Sequence, residues 1–252
     1  MRDMRMMRRC CVLAAFMFTV LSVPSPAQVG KNIRTVLFVK VKPERAGDWS
    51  AAIKDYVALV KKSESDQWFT VWEAQSGPDE YAVVWQSARW KELDQDGDPK
   101  TKPAAADIAH VFDRLDGDTV SMETWVDELQ PDLAVGGKEI PKMVRTGRTR
   151  VVQGKMDEVL AILRSDTLPA MKKAGVTEFG VAVARYGTPN SEIHTYAALG
   201  GWGDLDSPWG LQKGMSPEDL KAYLAKISPY IVFSQYDMWR FKPELSYVPE
   251  AK

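Results

Sequence analysis

Residues that could carry chemistry are concentrated in the second half of the chain, beginning with a pair of arginines. Arg148 and Arg150 alternate with smaller residues in a segment rich in β-branched side chains, so both guanidinium groups fall on one face of a predicted strand. If that face is buried, the arginines require carboxylate partners or an anionic ligand. If it is exposed, both side chains are solvated, and the sequence leaves the two alternatives open.

A histidine and a tyrosine form a second candidate pair. His194 and Tyr196 share one face of another predicted strand. An imidazole beside a phenol can hold a polar ligand or transfer a proton, although such a pair also occurs as a plain hydrogen bond on a half-exposed strand. The other histidine, His110, points away from the apolar stripe of its predicted helix, so we expect it to be solvated.

Tryptophans supply the third candidate group. Trp68 and Trp72 share a face of one predicted strand, and Trp85 shares a face of the next strand with Tyr81 and Val83. Aromatic side chains of this kind line pockets for flat apolar ligands, and they also fill cores. Both alternatives remain open at this point.

Signatures of the common cofactor enzymes are absent from the sequence. It contains no phosphate-binding loop, dinucleotide fingerprint, zinc-binding helix or Gly-x-Ser-x-Gly motif. The acidic run from Asp94 to Asp98 resembles a calcium loop, but its glycine comes too early and no glutamate closes it. We therefore predict no cofactor and no metal site, and the sequence assigns no catalytic residue.

Composition narrows the class of protein. The 252 residues are 45% hydrophobic and 27% charged, which is typical of a globular protein with a substantial core. The formal net charge is -1, so there is no basic excess to bind phosphates. We therefore expect no nucleic-acid partner.

The amino terminus has the pattern of a secretory signal peptide. A basic start is followed by an apolar run from Cys10 to Val23 and a small-residue cleavage site that ends at Ala27. The run is too short to span a membrane, so we expect no stable membrane anchor after cleavage. These features predict a signal over residues 1–27, a mature chain that starts at Gln28, and a periplasmic or extracellular location. Both cysteines, Cys10 and Cys11, lie in the signal, so the mature chain would have no disulfide.

The remaining sequence shows an internal repeat, with one half over residues 28–137 and the other over 138–252. A shift of 111 positions, which becomes 112 after one added residue, aligns Trp90 with Trp202 inside similar motifs. The same alignment places Arg148 and Arg150 on Leu37 and Val39. Further matched pairs are Arg34 with Arg145, Asp55 with Asp166, Lys61 with Lys172, Pro131 with Pro243 and Leu133 with Leu245.

Each half is predicted to contain the order strand, helix, strand, strand, helix, strand. This order is the ferredoxin-like βαββαβ unit, so the fold class is α+β with antiparallel sheets. The predicted strands cover 34–42, 67–74, 80–86, 119–125, 144–152, 178–186, 193–199 and 231–241, and the predicted helices cover 46–62, 104–115, 156–173 and 217–227.

Two such units, with Trp90 and Trp202 after the third strands and a Pro-acidic-Leu motif after the last ones, resemble the dimeric α/β-barrel superfamily. Its members include antibiotic-biosynthesis-monooxygenase-like and NIPSNAP-like domains. The resemblance implies two sheets packed face to face as a barrel. Here the two repeats would form an internal pseudo-dimer in a monomer, or the chain would form a homodimer.

We expect an exported protein that binds a small molecule or partner through this duplicated fold, without robust catalysis. The ligand would be a small aromatic or anionic compound held by the candidate residues. One alternative is a cofactor-independent monooxygenase or isomerase acting on a small aromatic compound, with His194 and Tyr196 as catalytic groups and Arg148 or Arg150 as anion clamp. Another is a structural or assembly protein whose tryptophans serve an interface.

Overall fold

Two compact units make up the computed structural model, which describes residues 33–65, 68–76, 80–94, 99–136 and 140–249. Unit 1 extends to Thr124 and also holds the segment from Lys242 onward, whereas unit 2 is Trp125–Phe241. The predicted signal peptide and the predicted boundary between residues 137 and 138 lie outside the described residues. No helix in the described part is both long and apolar enough to cross a membrane.

Unit 1 packs two helices on one face of an antiparallel sheet. Strand β1 pairs with β3, which pairs with β2. Leu37 and Val39 of β1 lie in the same core as Trp49 and Val111 of the helices, and Trp49 stacks on Tyr81 at 4.3 Å. The elements are β1 (Ile33–Val41), α1 (Ala46–Lys62), β2 (Thr70–Ala74), β3 (Glu80–Ser87), α2 (Ala105–Asp118) and the first part of β4 (Thr119–Leu129).

Unit 2 has the same order of strands and helices, with more irregular helices. Its antiparallel sheet runs in the order β8, β5, β7, β6 and the end of β4. The elements are β5 (Met143–Val151), α3 (Met156–Ile162), a π turn (Leu163–Thr167), α4 (Leu168–Ala174), β6 (Phe179–Tyr186), β7 (Glu192–Leu199), α5 (Leu211–Gly214), α6 (Pro217–Ile227) and β8 (Ile231–Phe241). The predicted α+β class and antiparallel pairing are therefore observed, whereas the tandem duplication remains a prediction.

The two faces of the unit 2 sheet carry different residues. On one face Val181 and Ile193 pack against Val159 and Leu163 of the helices. Neighbouring side chains along a strand point to opposite faces, so His194 lies on the face away from the helices. Arg148 is directly opposite His194 in the register and shares that face. The sheet therefore separates Arg148 and His194 from the apolar core beneath the helices.

One part of the predicted repeat alignment is wrong. Leu37 and Val39 lie in the core beneath the helices of unit 1, whereas Arg148 and Arg150 lie on the sheet face that points away from the helices of unit 2. The predicted alignment therefore pairs residues that lie on opposite faces of the two sheets, because neighbouring side chains of a strand point to opposite faces. The arginines therefore do not replace helix-facing core residues.

Candidate functional site

Arg148 and Arg150 converge on one carboxylate, that of Glu192. The Arg148 Nε donates to Oε2 at 2.7 Å, and Arg150 donates to Oε1 from Nε at 3.0 Å and from a terminal nitrogen at 2.8 Å. The Glu192 side chain is 0% exposed, whereas those of Arg148 and Arg150 are 27% and 41% exposed. Both sequence alternatives are thus partly realised, because the arginines reach solvent and also hold a buried carboxylate of the chain itself.

Glu192 stays ionised because of these two arginines. Burial of its carboxyl group favours the neutral acid, but the hydrogen bonds and charges of Arg148 and Arg150 outweigh burial. The net effect is to lower the pKa of Glu192 below its ordinary value. A stable negative charge therefore lies beside His194.

His194 is oriented by a second buried carboxylate, Asp127 of β4. Its Nδ1 lies 3.0 Å from Asp127 Oδ1, and both side chains are almost completely buried. An ionised carboxylate only accepts hydrogen bonds, so the hydrogen-bond network assigns the proton of the neutral imidazole to Nδ1. Nε2 then carries the lone pair, and it has no hydrogen-bond partner among the described residues.

Small residues on β6 allow Asp127 and His194 to meet. β6 lies between their strands, with Ala184 opposite Asp127 and Ala182 opposite His194. Neighbouring strands are about 4.8 Å apart, so the two backbones are about 10 Å apart. Alanine side chains leave room for the carboxylate and the imidazole to reach each other across the strand.

Trp125 completes this group. Its ring stacks on the imidazole of His194 at 4.8 Å, with an interplanar angle of 27°. The Arg148 guanidinium lies over the same indole, 4.9 Å from the ring centroid. We call Trp125, Asp127, Arg148, Arg150, Glu192 and His194 the histidine cluster. The sequence did not mark Asp127, because the predicted strand ends at Trp125. Glu192 was not marked either, although period-two alternation places it on the face of His194.

The structure describes no contact between His194 and the other predicted site residues, which are Tyr196, Trp68, Trp72 and Trp85. Tyr196 shares the face of His194, and its phenol ring occupies the space above Gly180, where an added Cβ would lie 2.2 Å from Tyr196 Cζ.

The predicted tryptophans lie in unit 1, where Trp72 donates to Thr70 Oγ1 at 2.9 Å. Trp85 belongs to the core beneath the helices, and the register places Trp72 on the opposite face. Trp72 and Trp85 therefore do not line one pocket, and half-buried Trp68 precedes β2.

A cavity of about 520 Å³ lies on the other face of the unit 2 sheet, between the sheet and the helices. Its volume is in the range of small-molecule sites. The apolar part of the lining includes Val159, Leu163, Phe179, Ile193, Ala197 and Ile227, and the polar part includes Arg145, Thr167, Thr195, Gln212, Tyr223 and Tyr236. His194 alternates with Ile193 and Thr195, so the cavity and the histidine cluster are on opposite faces.

The π turn contributes a polar group to this cavity. Thr167 ends the turn, and its hydroxyl donates to the Tyr223 hydroxyl of α6 at 3.0 Å in a buried position. Burial raises the pKa of Tyr223, and the hydrogen bond from Thr167 opposes that effect only in part. Tyr223 is therefore a neutral phenol whose proton is available to a ligand. π turns inserted in α-helices occur often at functional sites.

Arg145 is the charged group of the cavity. Its guanidinium lies 4.0 Å from the ring centroid of Tyr236 and 5.7 Å from that of Trp209. Unlike Arg148 and Arg150, it forms no ion pair with any residue in the described ranges. The sequence marked Arg148 and Arg150 of the same strand but not Arg145 as a site residue, because the rings that flank Arg145 come from other elements.

Comparison with known proteins shows the fold. A candidate monooxygenase from Fusobacterium nucleatum has a TM-score of 0.61 at 12% identity, covering 85% of this chain and 94% of that one. An anthrone oxidase-like protein has a TM-score of 0.58 at 14% identity, with coverage of 87% and 94%. Chlorite dismutase from Candidatus Nitrospira defluvii, in complex with imidazole, has a TM-score of 0.52 at 8% identity, with coverage of 87% and 94%.

The chain shares their fold. These structures belong to the ferredoxin-like, dimeric α/β-barrel superfamily, so the resemblance stated from the sequence is confirmed at the level of fold. No protein-family model matches the sequence, and no curated protein matches it either. A shared fold at such low identity does not transfer an activity.

Proposed function

We propose that the protein binds a small, mainly apolar molecule with an anionic or carbonyl group in the cavity of unit 2. The observation that carries this proposal is Arg145, a guanidinium at the cavity that lacks a carboxylate partner among the described residues. An anionic group on a ligand would supply that partner. The apolar lining would take the rest of the molecule.

Aromatic ligands suit this cavity best. Phe179 and Ile193 lie on its sheet side, and the rings of Trp209 and Tyr236 flank the arginine. Flat rings gain contact area against such surfaces, and the Tyr223 hydroxyl can orient a carbonyl oxygen by hydrogen bonding. The match in fold to proteins described as monooxygenases and as anthrone oxidase-like supports a ligand of this class.

Two fluorescent probes that differ by one charge test the role of Arg145. 1-Anilinonaphthalene-8-sulfonate carries a sulfonate, and N-phenyl-1-naphthylamine has the same rings without it. We expect Arg145→Met to weaken sulfonate binding about tenfold to a hundredfold, since loss of one charge-assisted hydrogen bond costs about 1.5–3 kcal/mol. Binding of the neutral probe should hardly change. Equal losses for both probes would contradict the proposed anchor.

A second candidate function is a cofactor-independent monooxygenase or isomerase acting on the molecule in the cavity. The specific observation is the buried Tyr223 hydroxyl, because it is a proton donor inside the apolar site. The predicted pair of His194 and Tyr196 cannot act on a ligand there, because His194 lies on the other face of the sheet. Oxygen uptake during oxidation of anthrone to anthraquinone and water tests this candidate, and Tyr223→Phe should abolish any uptake that the wild type shows.

We propose in addition that residues 1–27 direct export and are removed. The basic start, apolar run and small residues before Gln28 support this proposal. Amino-terminal sequencing of protein recovered from the periplasm or the medium should begin at Gln28. An intact Met1 on the recovered protein would contradict it.

The proposed duplication predicts an internal pseudo-dimer in a monomeric protein, with a homodimer as the alternative arrangement. Native mass spectrometry distinguishes one chain from two. A structural or assembly protein, the third alternative, would instead form larger species that grow with concentration.

A further inference from the structure

On the sheet face away from the cavity, we propose that His194 is a general base for the hydroxyl group of a small, weakly acidic ligand such as a phenol or enol. Arg148 and Arg150 would stabilise the oxyanion that forms. This second site goes beyond the proposed function, since it uses none of the cavity residues and stands or fails separately.

The unpartnered nitrogen of His194 is the first argument. The residue is 4% exposed, yet its Nε2 has no hydrogen-bond partner among the described residues. The nearest acceptor, Glu192 Oε2, is 3.7 Å away, which is longer than a hydrogen bond. A buried polar atom without a partner costs free energy, so a ligand hydroxyl that donates to Nε2 would gain a hydrogen bond that the described residues do not supply.

Asp127 supplies the second argument, because its hydrogen bond orients the imidazole and sets its tautomer. With Nδ1 donating to Asp127, the lone pair on Nε2 is available to take a proton. The charged groups near the imidazole in unit 2 are Asp127, Glu192 and, opposite it in the strand register, Arg148. The ring itself is held in place by stacking on Trp125.

The arginines supply the third argument. Each uses Nε and one terminal nitrogen to bind Glu192. The other terminal nitrogen of each has no partner in the described part of the chain, and both side chains reach solvent. These donors can bind an oxygen anion without releasing Glu192.

The step is a simple proton transfer. The ligand O–H bond breaks, its electron pair stays on oxygen, and the proton forms an N–H bond at Nε2. Total charge is conserved, since a neutral hydroxyl and a neutral imidazole become an oxyanion beside Arg148 and an imidazolium between two carboxylates.

4-Nitrophenol is the probe for this site, because its phenolate is yellow and its acid form is not. At a pH below its own pKa, we expect the full-length protein to bind it and turn it yellow. His194→Gln should weaken this response about tenfold or more, because the base is lost. His110→Gln is the matched control, since His110 is exposed on α2 and should leave the response unchanged.

Leu220→Trp distinguishes this site from the cavity. Leu220 lines the cavity from α6, so a tryptophan there blocks the cavity and should leave the yellow response intact. Loss of the response in Leu220→Trp, or its survival in His194→Gln, would overturn the proposal. Neither result bears on the proposed function, which is tested by the binding of naphthalene probes to the wild-type protein.

Nitrogen NMR of the two histidines gives an independent readout on the unmodified protein, with His110→Gln used for assignment. We expect His194 to show a protonated Nδ1 and an unprotonated Nε2 near neutral pH. Asp127→Asn should remove this preference. A His194 with the proton on Nε2, or one that stays doubly protonated to alkaline pH, would show that the cluster is only an ion-pair network.

Discussion

Asp127 and His194 form a hydrogen bond across an intervening strand. Their backbones belong to β4 and β7, and β6 passes between them with Ala182 and Ala184 at the crossing. Two buried carboxylates and a buried imidazole cost solvation free energy that apolar residues would not. The ion pairs and hydrogen bonds within the histidine cluster offset this cost, so loss of a partner should destabilise the protein.

The alanine at the crossing provides the first prediction. Ala182→Leu should fill the space between Asp127 and His194, break their hydrogen bond and lower the free energy of unfolding by about 1–3 kcal/mol. Ala182→Gly is the matched control, since it keeps the space open and costs only about 0.5–1 kcal/mol from backbone entropy. Urea denaturation measures both, and nitrogen NMR of His194 should change only in the leucine variant. Similar spectra for the two variants would contradict the proposed crossing.

The ion pairs of Glu192 provide the second prediction. Arg148→Met and Arg150→Met together leave the buried carboxylate without partners, which should destabilise the protein by about 3–5 kcal/mol. Adding Glu192→Leu removes the stranded charge and should restore most of the lost stability. Urea denaturation at neutral pH compares the double and triple variants. If the triple variant is no more stable than the double one, the arginines contribute packing rather than charge compensation.

The dependence of stability on pH provides the third prediction. The pKa of Glu192 is lower in the folded protein than its ordinary value of about 4.3, so its stabilising contribution is complete above that pH and is lost as the pH falls below it. Glu192→Gln should flatten this part of the stability profile, measured by urea denaturation in acid. An unchanged profile would show that Glu192 is not held ionised.

Glu178 provides a control, because the change to glutamine should alter the free energy of unfolding in the opposite direction from Glu192→Gln. Burial raises its pKa, so its charged form costs stability at neutral pH and folding becomes more favourable as the pH falls through the raised pKa. Glu178→Gln should therefore stabilise the protein at neutral pH, whereas Glu192→Gln should destabilise it. The same sign for both variants would contradict this assignment.

Much of the architecture follows from sequence periodicity. Alternation in the strands and apolar stripes in the helices predicted the eight strands and the longer helices close to their observed positions, whereas α5 was not predicted. Polar residues on strands marked Arg148, Arg150 and His194 as exceptions, and the structure brings these three together. Local patterns carry this information because alternation and burial act over a few residues.

Contacts between distant elements were not predictable in the same way. Asp127 is a polar residue near the end of β4. Nothing in the sequence around it shows that its side chain contacts His194, two strands away. The π turn from Leu163 to Thr167 has the apolar spacing of an ordinary helix. The cavity takes Arg145, Tyr223 and other residues from separate strands and helices, so it exists only after packing.

The contact between Gly180 and Tyr196 provides the fourth prediction. A methyl group at Gly180 would collide with the phenol ring, so Gly180→Ala should cost about 1–3 kcal/mol. In the Tyr196→Ala background the same change should cost much less, because the ring is gone. A double-mutant cycle by urea denaturation measures the difference, and additive effects would mean that the ring does not occupy that space.

Ligand binding in the cavity is the central claim, and calorimetric titration with 1-anilinonaphthalene-8-sulfonate tests it most directly. The wild type should bind one probe molecule per chain. Leu220→Trp should abolish this binding, whereas Val232→Trp, which adds the same ring on exposed β8, should bind like the wild type. Equal binding by both variants, or no saturable binding by the wild type, would contradict a ligand site between the sheet and the helices of unit 2.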